Sequence, residues 1–290
     1  MNTVDLSQEH LDKYLNGLII PPRPDVLTKL SQEMKKDDVN LGNVALIISS
    51  DVGLAAAVLK TINSPLFGLR TKVTSIAKAV NMLGLKSTTQ IVTGLTLRHA
   101  ISGKNESMHS YWDSAETVAN IAAYIATTLT NISREDAHIF GLFHDVGVAM
   151  LMQKYPNYRE TLKVAAASSR NLTEVEDERH ASNHATLGYL MAKSWFLPPA
   201  MCDAILRHHD VSAFDDSDPI SAEARTLIAI ISLSNQLIDA ILYLRENLAW
   251  EHFKSRVLDH LGITDAEYLE LKDQVSEQLE CIESRQIMAK

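Results

Sequence analysis

Five residues offer metal-type donors at three separated points of the chain: His144-Asp145, His184 and His208-His209. Neutral imidazole and ionised carboxylate together suit a first-row divalent cation, so iron, manganese, zinc or nickel are the candidates. Three points on different helices can converge on one ion in a bundle. Each falls inside a stretch that reads as helix. Adjacent helical residues point about 100° apart. His144 and Asp145 therefore share an ion only where a helix end presents both to a cleft. The flanking Gly141 and Gly147 would let another helix approach closely. Each point also has a plainer reading. A His-Asp pair can sit at a helix contact on backbone bonds, and His184 alone can be a satisfied core residue. A His pair can be solvated at a helix C-terminus, where the dipole favours positive charge. His208-His209 raises the metal reading, because two imidazoles beside an apolar helix bring two polar groups that need partners.

The elements that must position these residues are helical, since apolar spacing follows the helical period nearly everywhere. The spacing predicts a short helix over Asp5–Leu15. Pro21-Pro22-Arg23-Pro24 is a stiff extended segment that opens a helix through Val26 and Met34. Asn40 suits an N-cap. Val52–Ile62 ends at Asn63-Ser64-Pro65, a natural helix stop read here as structural. Thr74–Leu83 and Leu85–His99 follow, with a turn at Gly84. Ile101–Ser107 is polar and contains Gly103, the mark of a linker. Helices are then expected over Tyr111–Leu129, Ser133–Lys154, Thr161–Ala167 and Glu174–Ser194. Pro198-Pro199 begins the next one, which leads into His208-His209. Asp210–Pro219 is an acidic loop, Ala222–Leu244 is strongly apolar, and Thr264-Asp265-Ala266-Glu267 has the form of a capping box.

Of 290 residues, 46% are hydrophobic, enough for a substantial core. The net charge of -9 argues against a nucleic-acid surface, which needs clustered Lys and Arg. Met1–His10 has no apolar signal core, and apolar runs such as Leu227–Leu233 fall short of the roughly 20 residues that cross a bilayer. Two cysteines, Cys202 and Cys281, form no framework, and a reducing cytoplasm is the expected setting. Cys202 has no base assigned and reads as inert. Trp112, Trp195 and Trp250 read as packing residues.

The order of these motifs resembles a known family. Gly141–Gly147, then His184-x3-Gly188-x6-Trp195-x-Leu197-Pro198, then His208-His209, is similar to the HD-type metal-dependent phosphohydrolase superfamily. The N-terminal half sharpens the resemblance to its HDOD (HD-related output domain) branch. The matching pieces are Pro21-Pro22-x-Pro24, Ile47–Val52, Leu59-Lys60-x2-Asn63–Gly68 and Ala79-Val80-x2-Leu83-Gly84, and the likeness covers about residues 15–245. It implies an all-α fold, a bacterial source and a role in signalling without established catalysis. It also assigns gaps to three positions of the HD pattern. Ser114 stands where a further His ligand is expected, Asn235 where a late Asp is expected, and Val148 where phosphodiesterase relatives carry a Lys.

The reading is therefore an all-α protein: an N-terminal helical part over 1–102, a degenerate HD-like bundle over 108–245 and a helical extension over 246–290. Its expected role is non-catalytic regulation through a protein partner or small ligand. The alternative is a metal-dependent phosphohydrolase with an altered ligand set. The expected partners exclude nucleic acid and membrane, and the sequence leaves oligomeric state open.

Overall fold

A computed structural model describes residues 15, 17–64, 67, 69, 71–102, 108–168, 170–244 and 248–287, with side chains as far as residue 280. Every regular element among them is a helix, as expected. Contacts divide the chain into two compact units. One takes in the described parts of Arg23–Lys104 and Ala266–Lys290. The other takes in those of Met1–Pro22 and Asn105–Asp265.

The first unit contains α1 (Asp25–Met34), α2 (Leu41–Ser49), α3 (Val52–Ile62) and α4 (Ile76–Ser102), with nearly all of the last helix, Asp265–Ile287. Asn40 caps α2 as expected, its Oδ1 accepting from the N–H groups of Gly42 and Asn43. Asp51 does the same for α3 through Leu54. The buried Glu33 takes bonds from Lys36, Asn40 and Asn43, which ties the end of α1 to the start of α2. Gly84 breaks α4 at φ +75°, a conformation that costs an L-residue energy and glycine little. Ile101 and Ser102, expected in the linker, are buried in the last turn of α4 instead. The rest of that linker, most of the predicted Asp5–Leu15 helix, Pro65 and the Cys281 side chain lie outside the described residues.

The second unit contains α5 (His109–Leu129), α6 (Arg134–Phe143), α7 (Val146–Lys154), α8 (Tyr158–Ala167), α9 (Leu172–His180), α10 (His184–Ser194), α11 (Pro199–Arg207), α12 (Ala222–Leu242) and α13 (Leu248–Leu261). α12 is long and apolar enough to pass for a membrane span, longer than the apolar runs seen in the sequence, but its residues pack against α5, α11 and α13. Two glycines set close approaches. A Cβ at Gly141 would lie 2.6 Å from Ala119 Cα, and one at Gly147 would lie 2.1 Å from His184 O. Both are the close helix approaches that the sequence expected of them.

Two stretches that read as single helices are broken. Ser133–Lys154 divides at His144-Asp145, and Glu174–Ser194 divides at Ala181–Asn183. Ala181 is left-handed at φ 53°, and Asn183 starts α10 by accepting from Thr186 N–H. These breaks matter because they decide which backbone ends face each other.

Candidate metal centre

All five sequence-predicted donors belong to the second unit, and all sit at helix ends rather than in helix interiors. Asp145 lies in the α6–α7 junction, His184 is the first residue of α10, and His208-His209 follow α11. A donor atom from each of Asp145, His184, His208 and His209 lies within 4.8 Å of the others. His184 Nε2 is 2.9 Å from His209 Nε2 and 3.3 Å from His208 Nε2. Asp145 Oδ1 is 3.3 Å from His208 Nε2 and 3.5 Å from His184 Nε2. His144, 3.2 Å from the other carboxylate oxygen, stands at the edge of the group.

The outward nitrogens settle the tautomers. His144 Nδ1 lies 2.7 Å from Gly141 O, His208 Nδ1 lies 2.7 Å from Ile205 O, and His184 Nδ1 lies 2.6 Å from Glu176 Oε2. Each partner only accepts, so each Nδ1 carries a proton, and in the neutral form of each ring the Nε2 lone pair turns inward. His184 and His208 thus present lone pairs to each other and to Asp145 Oδ1. His144 Nε2 is buried and makes no hydrogen bond. Lone pairs gathered this way repel unless a cation or proton lies among them. Donors bound at 2.0–2.1 Å around one ion stand about 3.0–3.4 Å apart, close to the 2.9–3.5 Å that separates His184 from His209, His208 and Asp145. The donor set therefore fits a divalent cation, with the orphaned His144 nitrogen beside it.

The electrostatics differ from donor to donor. Burial raises the Asp145 carboxyl, but the neighbouring His144, His208 and His184 outweigh it and hold the group well below the ordinary carboxylate range. Burial opposes charge on His184, yet Glu176 and Asp145 raise it above an ordinary histidine. Burial lowers His208, and burial with the adjoining His208 and His184 lowers His209 further. Three rings are enclosed: His144, His184 and His208 are at most 5% exposed. Asp145, with 37% of its side chain exposed, forms the open side.

The three gap positions fare differently. Ser114 is exposed on α5. The α5 side chain that reaches the site is Tyr111, whose hydroxyl donates to Asp145 O at 2.8 Å. Tyr111 lies three residues before Ser114, on the side of α5 next to the core residue Trp112. Val148 is buried on α7, and Asn235 is half-buried on α12. The acidic loop offers no ligand, since Asp210 pairs with Arg207 and Asp215 with Arg256, while Asp216 is exposed. Cys202 is buried, and burial pushes its thiol up to about 11, in keeping with an inert residue.

Sequence reasoning missed Glu176 and Tyr158. Glu176 Oε2 accepts from both the backbone N–H and Nδ1 of His184, and Tyr158 donates its hydroxyl to Oε1. Glu176 lies in an acidic run, Glu174–Glu178. The signal that distinguishes it is the Asn183 cap seven residues on, which starts α10.

The HDOD domain family model matches residues 20–211. The chain belongs to the HDOD domain family. Its second unit carries the donor cluster of the HD pattern. An uncharacterized protein of Treponema pallidum (strain Nichols) is 25% identical over 221 residues, 76% of this chain and 42% of that one. This HDOD chain therefore spans less than half the length of that relative. A crystal structure of a candidate phosphohydrolase from Shewanella amazonensis SB2B aligns at TM-score 0.70 and 22% identity, covering 94% of each chain. One of a candidate signal transduction protein from Marinobacter aquaeolei VT8 aligns at TM-score 0.73 and 19% identity, covering 99% of this chain and 62% of that one. At these identities the likeness is one of fold.

Proposed function

We propose that this protein is a bacterial signal-transduction module that holds one divalent cation at Asp145, His184, His208 and His209 and works by binding a protein partner or small ligand. The observation that carries the reading is the convergence of four donors in which the inward Nε2 atoms of His184 and His208 are each fixed by an outward N–H bond. Such preset tautomers are what a cation site requires. The site is poorly equipped to handle a phosphate ester. Among the described contacts of the five donors no Lys or Arg side chain occurs, and Val148 presents an apolar surface at the position read as a phosphate handle.

The phosphohydrolase reading keeps one specific support, the half-exposed Asp145 beside three enclosed imidazoles. A bound divalent cation there would polarise a phosphoryl oxygen and lower the pKa of water. The chain's own part would be to hold Asp145 through Tyr111 and to keep the rings dry. Elemental analysis of protein purified without chelators tests the cation: about one iron, manganese, zinc or nickel per chain is expected, lost in His184→Ala. Assays with phosphodiesters and nucleotides decide between the readings. No turnover by the loaded protein supports the binding module; turnover that disappears in His184→Ala overturns it.

A further inference from the structure

We propose that Glu176, held by Tyr158, is the positioning residue of the centre: it fixes the direction of His184 and sets the affinity for the cation. The inference rests on the cation-binding reading above and concerns residues that lie outside the donor set. Glu176 is fully buried. A buried carboxylate is costly to keep unless its oxygens are matched by donors. Here Oε2 takes His184 N–H at 2.9 Å and His184 Nδ1 at 2.6 Å, and Oε1 takes the Tyr158 hydroxyl. Both oxygens are thereby committed to bonds within the protein, and the carboxylate grips one residue at two atoms. That double hold fixes the start of α10 and the rotation of its imidazole together.

His184 differs in this from the other enclosed rings. His144 and His208 donate to neutral backbone carbonyls, whereas His184 donates to a carboxylate. A charged acceptor makes a stronger hydrogen bond and a more basic imidazole. His184 is also the donor nearest to the others, within 3.5 Å of Asp145, His208 and His209. The relay sits in a helical hairpin, Tyr158 opening α8 and Glu176 lying in α9, that supplies none of the donors. Cation binding is thus coupled to a part of the unit that never touches the ion. Linkage makes the coupling reciprocal.

The test uses the whole chain, with Zn²⁺ and Co²⁺ as probes, in wild type, Glu176→Gln and Tyr158→Phe. Glu176→Gln keeps size and shape but loses the charge. Affinity by calorimetry is expected to fall about 10- to 100-fold in Glu176→Gln and by less in Tyr158→Phe. Far-ultraviolet circular dichroism and apo melting are expected to stay close to wild type. The visible spectrum of bound Co²⁺, which a purely structural role would leave alone, is expected to change in Glu176→Gln. Should that variant fail to fold, Tyr158→Phe decides by the same two readouts. Wild-type affinity and an unchanged cobalt spectrum in the folded variants overturn this inference alone. Absence of binding by wild type overturns the cation reading, and this inference with it.

Discussion

At Asn63 each polar atom of the side chain meets a partner of the opposite kind, whereas at the histidine cluster like meets like. Asn63 ends α3 and gives its amide to Leu59 O at 2.8 Å and Val73 O at 2.7 Å, while its Oδ1 accepts from Val73 N–H at 2.7 Å. Nothing is left over. This bears out the structural reading of the motif, since the side chain closes the segment up to Val73 onto α3 and a local core of Ile62, Val73 and Ala79. At the cluster the outer bonds of His144, His184 and His208 are equally complete, but with the rings neutral the inner atoms are acceptors facing acceptors. Both are polar motifs at helix ends in a mostly apolar chain. What separates them is the arithmetic of donors and acceptors: a balanced count builds structure, and a surplus of lone pairs leaves room for a cation.

The comparison is broken most severely at Gly147. A Cβ there lies 2.1 Å from His184 O, backbone that cannot step aside. Gly147→Ala is expected to cost about 3 kcal/mol in urea unfolding and to abolish metal uptake, because α7 can no longer seat against the start of α10. Unchanged uptake would mean that the approach does not position His184. Next in size, Asn63→Ala strands the Val73 amide and carbonyl, while Leu59 O keeps the Asn63 backbone N–H, and is expected to cost about 2 kcal/mol. Metal uptake should stay at the wild-type level. A variant that lost both stability and metal would erase the distinction between a closed motif and an open one.

The smallest effect concerns His180, a histidine four residues before His184 whose Nε2 has a partner in Thr161 Oγ1 at 2.9 Å. Burial and the charge of Arg179 lower its pKa. The folded state therefore binds the proton less readily than the unfolded chain. Its contribution is complete above about pH 6.5, the unfolded value, and is lost as pH falls from there toward the folded value. Melting of metal-free wild type should fall more steeply between pH 7.5 and 5.5 than that of His180→Gln. Parallel slopes would show that this ring titrates as freely in the fold as outside it.

What the sequence revealed and what it hid follow the same physics. The donors were legible because imidazoles in apolar surroundings demand an explanation, and the caps at Asn40 and Gly84 because their backbone chemistry is local. The break at Ala181 was not legible: alanine is a strong helix former, and the left-handed turn there is imposed by packing. With that break hidden, Glu176 sat unremarked near the start of one long helix, Glu174–Ser194. Tyr111 was not singled out for a related reason, since Trp112 and Ala119 mark the core side of α5 and not the side that meets Asp145.

Trp195 carries a further lesson, about where this domain begins. Its indole N–H donates to Pro21 O at 2.9 Å, although 174 residues separate them, and the ring is 1% exposed. Pro21 belongs to the same unit as Trp195, while the chain from Arg23 to Lys104 belongs to the other. A few residues at the front are thus a detached piece of the second unit. A shortened protein beginning after Lys104 would keep every donor of the centre and still strand a buried indole donor, a loss of about 1–3 kcal/mol. The boundary of the second unit is set by carbonyls far upstream, that of Pro21 and that of Leu15, which accepts from Lys154, and expression of the centre by itself has to carry them along.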